Sequence, residues 1–187
     1  VNLRLMISLL TLKLAVTIGV VVGLSLIAER VSPMVAGVLA GYPLGAGIVL
    51  FFFGLEYGPK FAAESAIYMT AGLVAELIFL YIYYKTSTYF NERLKSILIS
   101  SVSAFLAFSI TIWIIHLFYL NAIESIFIYL IGLVISVYLF RTIPNHRIER
   151  HVNINIPIML IRALLAAITV LVITGSANIV GSTWAGL

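Results

Sequence analysis

Apolar residues run through this chain in long blocks separated by brief polar punctuation. A helix that crosses a bilayer needs about 20 mostly apolar residues, and six stretches approach or exceed that length. The first runs from about Leu5 to Ala28 and is interrupted only by Lys13. The second runs from about Pro33 to Leu55, with Pro33 well placed for a helix start. The third follows Gly58-Pro59 and runs from about Phe61 to Tyr84. The fourth covers about Ile97–Phe118, the fifth Ala122–Phe140 and the sixth Pro157–Ala177. Only two connections are long and polar, Lys85–Ser96 and Arg141–Ile156. The pattern predicts an all-α, polytopic membrane helix bundle of about six spans, forming a single transmembrane domain over residues 1–187.

Composition strengthens that expectation. Hydrophobic residues make up 63% of the chain and charged residues 10%, against roughly a quarter charged in soluble domains. Mean hydropathy is +1.17. So large an apolar surplus does not fit inside one water-soluble core, whereas lipid tolerates it. The initial apolar stretch is too long for the core of a signal peptide and reads as a span.

The chain is basic, with a formal net charge of +4, yet nucleic acid is not the expected partner. The basic residues lie between the spans, where the positive-inside rule expects them. Arg30, Lys85, Arg93, Lys95, Arg141, Arg147, Arg150 and Arg162 fall on one side, against Arg4, Lys13 and Lys60 on the other. The first side is expected to be cytoplasmic, with the N-terminus outside and the chain in the cell (inner) membrane. Tyr81, Tyr83, Tyr84, Trp113, Phe118 and Tyr119 cluster at span ends, as interfacial anchors do.

The second span carries the most information. Gly37, Gly41 and Gly45 recur every four residues and, with Ala36 and Ala40, form a smooth strip for close helix approach. Pro43 removes a backbone donor and clashes with the carbonyl of Leu39, which predicts a kink or unwound stretch over Gly41–Gly47. Discontinuous helices of this kind form solute and ion sites in many transporters. The same residues also suit proline-kinked helix packing without a ligand, through which the chain would form a homo-oligomer or dock partner helices.

Charge inside the spans adds a second clue, because an ionisable group in mid-bilayer costs at least about 2.5 kcal/mol unless paired or hydrated. Glu76 lies deep in the third span, with Gly72 one turn earlier and Ala75 beside it. Lys13 is the natural partner type, and Glu64 competes for it. A substrate or ion site is therefore expected around Gly41, Pro43, Gly45, Glu76 and Lys13, with a register-fixing Lys–Glu pair as the rival reading. Glu56 reads as part of a short turn. His116, Asn121 and Glu124 flank the fourth connection but offer only a loose metal pattern, and His146 and His151 lie in a basic loop.

Segments 13–38 and 162–187 share an order of landmarks: a basic residue, an apolar run, Ala28-Glu29 facing Ala177-Asn178, and Ala36-Gly37 facing Ala185-Gly186. Five helices apart, such copies would form an inverted repeat, the second starting near residue 158. No cysteine and no aspartate are present. His-Glu-x-x-His and Gly-x-Ser-x-Gly motifs are also missing, so neither enzymatic activity nor a cofactor is expected.

Ala36-Gly37, Tyr42-Pro43, Glu56 and Gly58 together resemble the GlpM-like small inner-membrane proteins, over roughly Leu10–Tyr84. That family has a basic residue between the last Glu and Gly, where this chain has Tyr57. The resemblance implies a small multi-pass inner-membrane protein and supplies neither a substrate nor a catalytic residue. The leading functional expectation is a small-solute or ion transporter or channel; the alternative is a non-transporting membrane subunit or assembly factor.

Overall fold

A computed structural model describes residues 3–30, 44–141 and 156–187. Six helices occupy them: α1 (Leu3–Arg30), α2 (Leu44–Glu56), α3 (Pro59–Ser87), α4 (Arg93–His116), α5 (Ala122–Phe140) and α6 (Ile156–Gly186). Five are long and apolar enough to cross a membrane, and α2 is a shorter apolar helix of 13 residues. The protein is thus an all-helical integral membrane protein. Large apolar side chains that water would not tolerate in such number cover its surface, among them Phe105, Phe127, Val134 and Leu164, and they suit contact with lipid.

Helix is the form a spanning segment takes when no water is present to satisfy its backbone. The hydroxyl side chains of the spans follow the same rule by bonding back to their own helix. Thr70 donates to the Ala66 carbonyl, Thr111 to Ala107, Thr169 to Leu165 and Ser25 to Val21. The α4–α5 turn is closed by a capping box, in which the Asn121 side chain accepts from the Glu124 N–H and the Glu124 carboxylate accepts from the Asn121 N–H. Asn121 and Glu124 therefore serve the start of α5.

The chain divides into two compact units, Val1–Ala62 with His146–Ile179, and Ala63–Asn145 with Val180–Leu187. In the first, α2 ends at Glu56 and α3 starts at Pro59. Gly58 supplies the turn with φ of 90°, a value that favours glycine, and Pro59 takes a first helical position that needs no N–H. Phe52 and Phe53 are fully buried, and Phe53 meets Phe61 edge-on at 5.2 Å. On α6 the buried positions of this unit are Ala163, Ala167, Val170, Thr174 and Ala177. Their alternating spacing of four and three residues draws a stripe of small side chains that lets helices approach closely.

The second unit packs Tyr68 and Ala71 of α3 with Ile115 of α4, and with Ile67, Leu120, Ile128 and Leu187 around them. The Tyr68 hydroxyl donates to the Phe118 carbonyl at 3.2 Å. Gly132 of α5 lies directly against Val74 of α3. His116 stacks on Trp184, with ring centroids 4.1 Å apart.

Two differences from the sequence reading concern helix continuity. The sixth span runs about nine residues past Ala177, to Gly186. It is broken at Gly181, where φ is 82° and ψ is 167°. Of the expected break at Gly41–Gly47, residues 41–43 lie outside the described residues, and from Leu44 onward α2 is regular helix. The repeat landmarks Lys13 and Arg162 also differ in surroundings, the first buried and the second exposed.

Candidate functional site: a saturated lysine among three helices

Within the first unit, α1 carries Lys13 inside its apolar span Ile7–Ile27. Lys13 is only 7% exposed. Its Nζ lies 2.7 Å from Glu56 Oε1 and 2.8 Å from Oε2, and 2.6 Å from Thr174 Oγ1. An ammonium has three donors and no acceptor, so two carboxylate oxygens and one hydroxyl use all three. The ring of Phe52 lies beneath the charge at 5.8 Å, a distance at which its face still attracts a cation.

Each partner is held from a different element. Glu56 closes α2 just before the Gly58 turn. Thr174 comes from the buried stripe of α6, and its hydroxyl donates to the Val170 carbonyl at 2.7 Å while accepting from Lys13. Tyr57 donates its hydroxyl to the Thr174 carbonyl at 2.6 Å, and its ring lies tilted by 39° against that of Phe61, centroids 4.9 Å apart. Burial pushes the Tyr57 phenol above its usual range, and the neighbouring Glu56 carboxylate pushes it the same way. One turn beyond Lys13 on α1, Thr17 is 1% exposed and its hydroxyl has no hydrogen-bond partner among the described residues.

Lys13, expected to meet Glu76 or Glu64, is neutralised by Glu56 instead. Glu76 sits in the middle of α3, is exposed, and has no ion-pair or hydrogen-bond partner among the described residues. The small neighbours Gly72 and Ala75 face inward without it: Ala75 is fully buried and Gly72 meets Leu187. Gly45 is exposed with open space where a Cβ would go. Gly37, Gly41 and Pro43 lie outside the described residues. Sequence reading gave Glu56 a turn and named it, with Tyr57, only in the family resemblance, and it passed over Thr174. The available signal was the four–three spacing of small residues from Ala163 to Ala177, which marks the face on which Thr174 lies.

Comparison of the chain with protein-family models, with curated proteins and with solved structures gave no match.

Proposed function

We propose that this protein is a carrier or channel for a small solute or ion, and that Lys13, Glu56 and Thr174 form its charged element. One observation carries the reading: a lysine within an apolar span is sealed from solvent and saturated by partners from two other helices. Ionisable groups within spans are rare and expensive, and they mark ion and solute pathways more often than other spanning residues do. In this reading the arrangement works between two states. With Glu56 ionised the pair is neutral and closed; a proton on Glu56 releases the ammonium, which is then free to take an anionic group. Placement in the inner membrane with the N-terminus outside, kinship with the GlpM-like proteins, an inverted repeat and oligomer contacts through Gly37, Gly41 and Gly45 belong to the same proposal. So does the absence of enzymatic chemistry.

The test uses the full chain in liposomes loaded with a pH-sensitive dye, with proton entry driven by a potassium diffusion potential. Proton entry faster than in protein-free vesicles, reduced to their level by Glu56→Gln, supports the proposal. Entry no faster than in protein-free vesicles, or untouched by Glu56→Gln, removes it.

A second reading, a non-transporting subunit that docks partner helices, is favoured by the exposure of Glu76 in mid-helix, because lipid is a poor neighbour for a carboxylate. The Glu76 carboxyl infrared band separates the two. Prompt titration and exchange with heavy water mean a hydrated cavity, whereas a band unmoved between mild acid and mild alkali means a sealed group covered by another chain.

A further inference from the structure

Beyond the first and last turns of the described helices, two exposed charges have nothing to neutralise them, and they are of opposite sign. Glu76 lies just past the midpoint of α3, without an ion pair or hydrogen bond among the described residues. Arg162 lies in the second turn of α6, exposed and likewise without either. Apolar side chains exposed on the same faces flank both. Leu80 follows Glu76 by one turn, and Ile158 and Leu165 lie one turn to either side of Arg162. A charge in a span is costly unless it pairs or reaches water. The other described charges inside the spans are engaged already: Lys13 is saturated by Glu56 and Thr174, and Glu64 bonds to Ser182.

We propose that these faces are covered by a second copy of this chain, with Glu76 of one copy paired to Arg162 of the other. Charge complementarity selects the occupant. A single chain carries one free charge of each sign, so a closed assembly of copies can use both charges of every copy without a further component. The two charges also suit each other in depth. Glu76 lies on the side of α3 that adjoins the connection Lys85–Ser96, and Arg162 on the side of α6 that adjoins Arg141–Ile156. Those are the two basic connections, which the positive-inside rule puts on one side of the membrane. Arginine is the fitting cation, because its planar fork meets a carboxylate with two parallel hydrogen bonds and its long stem carries the charge to its partner. The exposed leucine and isoleucine side chains around each charge then close the pair off from lipid and water. The inference goes beyond both functional readings, since it names what covers Glu76 whether or not the protein transports.

The chain has no cysteine, so single cysteines report the contact cleanly. The experiment mixes full chains carrying Glu76→Cys with full chains carrying Arg162→Cys in liposomes and oxidises them. The expected result is a disulfide-linked dimer in the mixture, well above the cross-linking of either variant with itself. Association of cysteine-free chains is then measured by subunit counting in liposomes over a range of protein-to-lipid ratios. Glu76→Arg alone and Arg162→Glu alone each raise the apparent dissociation constant at least about tenfold, as the loss of a desolvated charge pair does. The two substitutions in one chain restore it, because the signs are exchanged and the pairs re-form. Glu56→Gln leaves it unchanged, which separates this contact from the Lys13 cluster and from proton entry. Circular dichroism confirms that each variant is helical, and Glu76→Gln, which weakens association without adding a charge, carries the test if the reversed variants fail to insert. Chains that stay monomeric at every ratio overturn the proposal. So does cross-linking of the mixture no greater than that of each variant alone, an association indifferent to Glu76→Gln, or a loss that the exchanged pair fails to restore.

Discussion

Removing one partner of the Lys13–Glu56 pair should cost far more than removing both. Glu56→Gln leaves an ammonium in a pocket where the two side chains are 8% and 16% exposed. Breaking a buried pair in this way costs about 3–5 kcal/mol. The loss has a ceiling, since neutralising an ordinary lysine at pH 7 takes about 4.6 kcal/mol. The glutamine oxygen can still accept one hydrogen bond and returns about 1 kcal/mol. The expected loss is therefore about 2–4 kcal/mol. Lys13→Met strands the carboxylate instead, with a ceiling of about 3.7 kcal/mol for protonating an ordinary glutamate at pH 7. The double variant removes both charges and keeps the volume, so it should stand within about 1 kcal/mol of the wild type. The assay is equilibrium unfolding in mixed micelles followed by circular dichroism, analysed as a double-mutant cycle. A coupling of about 2 kcal/mol or more is expected, little changed by salt because the pair is sealed. Single variants within about 0.5 kcal/mol of the wild type, or a double variant whose loss equals the two single losses added, would refute the reasoning.

Tyr57→Phe removes the hydrogen bond to the Thr174 carbonyl and should lower stability by about 1 kcal/mol in the same assay. The Tyr57 phenol is raised by burial and then by Glu56. Its contribution is thus complete below its ordinary value of 10.0 and is lost as the pH climbs through the raised one; ultraviolet titration of wild type against Tyr57→Phe shows one phenol ionising late, and an unshifted phenol would contradict this. Gly186→Ala places a methyl group into the Ser65 carbonyl and should cost about 1–3 kcal/mol in thermal-shift or unfolding measurements. Gly54→Ala meets only the Ala62 methyl at an ordinary 3.8 Å and should be neutral or up to about 1 kcal/mol stabilising, from helix propensity. Asn121→Ala breaks the capping box of α5 and should cost about 0.5–2 kcal/mol.

The sequence by itself determined the helices. An apolar run of about 20 residues in lipid has little choice but to satisfy its backbone within one helix, and the fifth span was read at the same bounds, Ala122–Phe140, that α5 shows. It also singled out Lys13, because a charge inside an apolar run stands out in any register. What it could not determine was the partner. Glu56 lies 43 residues from Lys13 and Thr174 lies 161 residues away. Which carboxylate meets the ammonium depends on how far each helix is turned about its axis and slid along it. Those two quantities are set by small-residue stripes such as Ala163–Ala177 packing against neighbours, and several acids fit the hydropathy pattern equally well. The break at Gly181 has the same origin. Its glycine looks like the other glycines of the apolar runs, and nothing in the hydropathy pattern sets it apart from them. Hydropathy fixed what each segment is; rotation and register between helices decided which polar groups meet.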